Sequence, residues 1–175
     1  MACLLTSGRA LPCKSSVGGL KAVYFADYGT LGDVTIVSGE ITAIAGTPDF
    51  YKYDIKGSSS LETAITSSRE NGTTFYTQTL NLTLTTLDKA TQEQIKLLSV
   101  SRPHIAVEDY NGNFFLVGLE HGSEVTGGSI ASGATMADAS SFSLTFEAME
   151  KSPANFTVST VVTANESAAQ IDPNA

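Results

Sequence analysis

Phe75-Tyr76-Thr77-Gln78-Thr79-Leu80-Asn81-Leu82-Thr83-Leu84 is the stretch on which the fold turns. Its last third sets Leu80, Leu82 and Leu84 against Asn81 and Thr83 on a strict period of two, the repeat by which an extended chain sends alternate side chains to opposite faces. One face of this strand is therefore buried and the other hydroxylated. Immediately upstream, Asn71-Gly72 supplies a turn, and Leu61-Glu62-Thr63-Ala64-Ile65-Thr66 alternates in the same way. Phe50 to Lys56 alternates as well, with Gly57 and three serines separating it from the next strand. Downstream, Ser141 to Met149 resumes strict alternation and belongs in the same sheet.

Working outward, Leu20 to Ala26 is a β-branched and aromatic run, and Val34 to Val37 and Ile41 to Ile44 flank Ser38-Gly39-Glu40 as a short hairpin. Asp88 is a good N-cap. Leu87, Thr91, Ile95 and Leu98 then recur at three- and four-residue steps until Arg102-Pro103 forbids continuation, which predicts one amphipathic helix over about 88–101. His104 to Tyr110 meets Asn113 to Leu119 across Asn111-Gly112, a dipeptide whose members both tolerate positive φ. Gly122 to Asp138 is Gly- and Ser-rich and reads as a mobile loop. Phe156 to Val162 reads as a last extended arm and Ala164 to Ala175 as a disordered tail. The organisation expected is an N-terminal arm (1–19), one β-rich domain (20–162) and a flexible tail (163–175). Its fold class is mainly β: an antiparallel barrel or sandwich with one flanking helix.

The chain has 175 residues, enough for one domain with a real core. Its ten Lys and Arg against eighteen Asp and Glu give a formal charge of −8. Phosphate-neutralising nucleic-acid binding needs clustered cations and is disfavoured by that balance. Only 16% of residues are charged while 42% are hydrophobic, and Ser and Thr make up much of the polar remainder, which suits strands. No window approaches the roughly 18 uninterrupted apolar residues that span a bilayer, and Met1 to Arg9 shows no basic leader before an apolar run. Cys3 and Cys13 are too few for a four-ligand zinc site and read as reduced thiols, with a local disulfide or an intermolecular contact as the alternatives. Asn-x-Ser/Thr triplets at Asn71, Asn81, Asn155 and Asn165 are expected by chance in so hydroxyl-rich a chain.

Candidate chemistry is sparse. His104, after Pro103, and His121, between Glu120 and Gly122, have no H-x-x-x-H or H-x-E spacing around them; acid–base or metal work needs further groups brought in by the fold. Glu108 and Asp109 are adjacent on a strand, point to opposite faces and read as a solvent-facing strand end. Gly18-Gly19 lacks the flanking strand and helix of a phosphate-cradling loop, and no G-x-S-x-G elbow occurs. Tyr24, Phe25, Phe50, Tyr51, Tyr53, Phe75 and Tyr76 fall where packing or interface positions fall on strands. The expectation is a non-enzyme without catalytic, cofactor-binding or metal-ligating residues and without cofactors.

The order of elements carries a resemblance. Short strands, one helix of this length, a strand, Asn111-Gly112, a strand, a glycine-rich loop and a closing strand ending Phe146-Glu147-Ala148-Met149-Glu150 resemble the tail tube proteins of bacteriophages and their Hcp-like relatives, over about residues 20 to 160. Met1-Ala2-Cys3 through Gly18-Gly19-Leu20-Lys21 is similar to small virion proteins of phages infecting Bacteroidetes. The resemblance implies a virion structural protein, assembled in the bacterial host cytoplasm, whose subunits close into rings, usually hexamers, that stack into a tube. The inner sheet would line a channel through which DNA passes without specific binding. Implied partners are further copies of the chain and other tail or connector proteins. Hydroxylated strand faces suit a wet lumen, and acidity suits a pore in which DNA must not stick; a ring of six would carry 6 × −8 = −48. Phe50 to Ser68 does not map directly onto the long projecting hairpin that stacks tube rings. A connector ring, a capsid decoration protein and a carbohydrate-binding module are the alternatives, the last requiring exposed coplanar aromatics. An enzyme reading would need a pocket gathering His104 or His121 with two carboxylates.

Overall fold

A computed structural model describes Leu5 and residues 7–173. The chain is 45% strand and 9% helix, arranged as two sheets without a closed barrel. The element order is β1 (Leu20–Ala26), β2 (Val34–Val37), β3 (Glu40–Ile44), β4 (Tyr51–Asp54), β5 (Ser60–Ser68), β6 (Thr73–Thr85), α1 (Lys89–Leu98), β7 (His104–Asp109), β8 (Phe114–Val117), β9 (Glu124–Ala131), β10 (Ser141–Glu150), β11 (Asn155–Thr157) and α2 (Ser159–Thr163).

The Leu80, Leu82, Leu84 face of β6 meets Phe146, Leu144 and Phe142 of β10 in register, and the four-stranded sheet runs β5-β6-β10-β9. Against that apolar face packs the larger sheet, ordered β2-β3-β11-β8-β7-β1-β4. Val23, Phe25, Ile105, Val107 and Val117 fill the space between the sheets, and Ile95 of α1 closes one side of it. The seven-stranded sheet is buried on its second face too: Ala22, Tyr24, Ile41, Ala106 and Leu116 of its strands cluster with Leu31, Phe50 and Val162. Burial on both faces is why β1 and β7 read as continuous apolar runs, whereas β6 and β10, wet on one face, alternate.

The hairpins of β2–β3, β5–β6 and β7–β8 form where the turn residues place them. In the last, the connection is three residues long, not the two of Asn111-Gly112. Asp109 N–H donates to Asn113 O at 3.0 Å, and Gly112 N–H donates to Asp109 O at 3.2 Å. The Asp109 carboxylate accepts from the backbone N–H of Asn111 (2.9 Å) and Asn113 (2.8 Å), and Gly112 takes φ +82° as the left-handed residue of such a loop. Asp88 caps α1 as expected, accepting from Thr91 N–H at 2.8 Å, but α1 stops at Leu98, with Ser99 as its C-cap.

Four expectations are corrected. Gly122 to Asp138 is not one loop: Glu124–Ala131 forms β9 against β10, and only Gly122-Ser123 and the residues beyond Ala131 are loop. Gly128 makes that pairing possible: a Cβ there would lie 2.6 Å from the Ser143 carbonyl and 3.0 Å from Leu144. Phe156 to Val162 is strand β11 followed by helix α2, whose Val161 and Val162 are buried. β11 joins β3 in a parallel pair, so the larger sheet is mixed where an antiparallel one was expected. Residues 165–171 are tied down where a disordered tail over Ala164 to Ala175 was expected: Phe50 N–H donates to Asn165 O (2.9 Å), Ser167 N–H donates to Phe50 O (2.8 Å), and Ile171 reaches the side of Tyr51 and Tyr53; Asn174 and Ala175 lie outside the described residues. Cys3 lies outside the described residues, and Cys13 is exposed.

Candidate assembly face and its edge strands

The solvent face of the four-stranded sheet is built from the odd positions of β6 and β10 and their partners. Thr77, Thr79, Asn81, Thr83 and Thr85 pair with Met149, Glu147, Thr145, Ser143 and Ser141. Ser60, Glu62, Ala64 and Thr66 extend this face on one side, and Glu124, Gly127, Ser129 and Ala131 on the other. The only charges on it are Glu62, Glu147 and Glu124, aligned in one row through Thr79. None of the ten Lys and Arg falls on β5, β6, β9 or β10. Thr145 Oγ1 donates to Asn81 Oδ1 at 3.0 Å, so cross-strand side-chain bonds organise part of this face.

Both edges of this sheet are open. Among the described residues β5 pairs with β6 alone and β9 with β10 alone. All three ladders are antiparallel, so β5 and β9 run in opposite directions. A second copy translated and rotated along the sheet can thus lay its β5 beside β9 and continue the antiparallel alternation. Open edges are aggregation hazards unless an assembly uses them.

The β5–β6 hairpin also outruns its neighbours. Its ladder continues to Ser68↔Thr73, whereas β10 ends at Glu150↔Tyr76. Ile65 (68% exposed) and Phe75 (37%) sit at the base of this part, on opposite faces of the ribbon. The part of the hairpin that outruns β10 therefore spans residues 66–75, so of the Phe50 to Ser68 stretch only Thr66 to Ser68 takes part.

The groups singled out by sequence separate into structural and surface roles. His104 is buried, with Nδ1 2.6 Å from Gly118 O and Nε2 accepting from Gly29 N–H at 3.1 Å, so it carries its proton on Nδ1. Burial lowers its pKa; the bond to Gly118 and the charge of Glu150 oppose that shift. Tyr28 stacks on it at 5.2 Å, and the Arg102 guanidinium lies over the Tyr28 ring at 4.9 Å. Glu108 is not a solvent-facing strand end. It lies on the buried face beside Tyr24, accepting from Lys21 Nζ (2.6 Å) and from the Tyr24 hydroxyl (3.2 Å). The bond to Glu108 and its charge raise the Lys21 pKa, while burial and the same carboxylate push the Tyr24 hydroxyl up. Asp109 does point the other way: burial works against its charge, but bonds from Asn113 and Asn111 outweigh it and lower its pKa.

Of the seven aromatics, Tyr24, Phe25 and Phe50 are core, and Phe25 meets Tyr53 edge-to-face at 88°. Tyr51 and Phe75 are exposed but belong to different sheets and form no shared platform. Sequence reasoning missed Glu120, His121 and Glu150 as a group: their ligand atoms lie within 4.8 Å of one another. Glu120 and His121 are exposed and Glu150 is buried at the end of β10, and five cavities of 170 to 550 Å³ are lined by other residues. Among the described residues no helix is long and apolar enough to cross a membrane.

Fold and surface together define the chain as a two-sheet, mainly β domain with an acidic, hydroxylated, open-edged sheet. Compared with protein-family models, with curated proteins and with solved structures, it matches none.

Proposed function

We propose that this chain is a structural subunit of a virion that closes head to tail into rings, with the four-stranded sheet lining the channel, and that the rings stack as a phage tail tube. The observation that carries the reading is that sheet: two open edges of opposite direction, an apolar inner face and a cation-free outer face with a row of three carboxylates. Head-to-tail contacts close into a ring when the rotation per copy divides a full turn. With four strands per copy, six copies supply 24 strands. At about 4.8 Å between strands and a tilt near 40°, 24 strands enclose a backbone circle roughly 48 Å across, wide enough to pass a DNA duplex after side chains are subtracted. The glutamate row and the hydroxyls would repel or merely wet phosphate, so DNA slides without being held. The tip of the β5–β6 hairpin beyond β10 is the part placed to reach the next ring. A connector ring or a capsid decoration protein would use the same domain without forming tubes.

The test is the mass of the purified protein by light scattering. The reading expects a ring of several 18.3 kDa copies, lost when a proline and a lysine are placed in β9. A monomer at all concentrations contradicts it.

A further inference from the structure

Independently of assembly, we propose that Glu120, His121 and Glu150 form a binding site for one divalent transition-metal ion, with zinc the best chemical fit. The three donors come from two elements. Glu120 and His121 stand side by side in the β8–β9 connection, and Glu150 ends β10. They are not an accidental meeting of mobile surface chains, because the backbone fixes them. Glu150, only 3% exposed, accepts from the backbone N–H of Glu120 (3.0 Å) and of His121 (2.8 Å), both through Oε1. One carboxylate oxygen therefore locks the segment that carries the other two donors. Among the described residues no hydrogen bond falls on Glu150 Oε2, and a carboxylate oxygen of this nearly buried side chain lies within 4.8 Å of a donor atom of His121 and of Glu120.

Two carboxylates and an imidazole are a donor set for zinc and its neighbours in the transition series, not for magnesium or calcium, which prefer oxygen alone. Tetrahedral zinc with bonds near 2.0–2.1 Å needs ligand atoms about 3.3 Å apart. The present spacing of up to 4.8 Å closes to that by side-chain rotation, since the Glu120 and His121 side chains are 52% and 62% exposed. Lys151 Nζ, 4.0 Å from Glu120 Oε2, must swing away; at 84% exposure that loses only a weak surface pair. Three protein ligands leave a fourth position for water. The bound ion would staple the β8–β9 turn to the end of β10, the level at which the β5–β6 hairpin leaves the sheet.

Zinc binding is measured by competition with a chromogenic chelator, using full-length protein in a Cys3→Ser/Cys13→Ser background so that thiols contribute nothing. One equivalent should bind, should be weakened at least about tenfold by His121→Ala and by Glu120→Gln, and should not be displaced by excess magnesium. Zinc should also raise the thermal midpoint of the parent and not of His121→Ala, whose exposed position leaves the fold intact without metal. Absence of stoichiometric binding, or equal binding by parent and both variants, overturns the site. Neither result bears on ring formation, which is read separately by mass.

Discussion

Gln78 is the one fully buried amide of the inter-sheet space, and replacing it by Met tests how the two sheets are locked together. It lies on the apolar face of β6, is 1% exposed, accepts from Gly118 N–H at 3.0 Å through Oε1 and donates to Ser152 O at 3.0 Å through Nε2. It therefore rivets β6 to the end of β8 and to the chain leaving β10. Methionine keeps nearly the same length and volume, so no cavity forms and only the polar partners are lost. The buried Gly118 N–H is then orphaned, at about 1–3 kcal/mol. Ser152, half-buried, recovers water at its carbonyl and adds a smaller amount. The sum is about 2–3 kcal/mol, which for a domain of this size lowers the thermal midpoint by about 5–10 °C. The assay is calorimetric or circular-dichroism melting at fixed protein concentration, with Thr79→Val on the wet face as the neighbour control, expected within about 0.5 kcal/mol of the parent. A Gln78→Met protein melting within a degree of the parent would refute the reasoning.

Two further predictions follow from charge. His104 is held neutral in the fold, with Nε2 accepting from Gly29 N–H and burial lowering its pKa below the ordinary 6.5, while Glu150, the Gly118 carbonyl and Tyr28 face it and Arg102 lies over the Tyr28 ring. The unfolded chain takes up a proton that the fold refuses. Stability should therefore be complete above pH 6.5 and decline as pH falls through the lowered folded value, well before Asp88, Asp109 and Asp138, whose lowered pKa values place their losses below 3.8. Melting across pH 7.5 to 4.5 reads this, and a His104→Asn variant should show a flatter profile; parallel profiles would contradict it. Glu62→Lys/Glu147→Lys changes the exposed row by four charges per copy while leaving the core untouched. Melting should move by less than about 1 kcal/mol, whereas retention on DNA, absent in the parent at moderate salt, should appear and fall steeply with added salt. Parent protein that already binds DNA would contradict the reading of this face.

Much of the fold was legible because most strands announce themselves by alternation and most turns by their glycines. β6 and β10 each bury one face and wet the other, so their sequence records the sheet directly. β9 was not legible: Gly127 and Gly128 carry no side chain to alternate, and the strand exists because backbone pairs with backbone at a place where a Cβ would collide. α2 spans five residues, Ser159–Thr163, and its apolar Val161 and Val162 read equally well as strand. Glu108 looked like a wet strand end because nothing local reveals that Lys21 and Tyr24, over 80 positions away, supply its partners. The Glu120, His121, Glu150 group has the same character: two members adjoin in sequence, and the third arrives only through β10. The hydroxylated face itself was readable, but its open edges and the absence of any cation beside the glutamate row needed the strand order.

Copies of this chain are proposed to close into a ring around a channel lined by β5, β6, β10 and β9. Negative-stain imaging of the purified protein at high concentration tests it most directly. Annular particles with a stain-filled centre, alone or stacked end to end, are expected, and fields of small, dispersed, solid particles at every concentration would contradict ring closure.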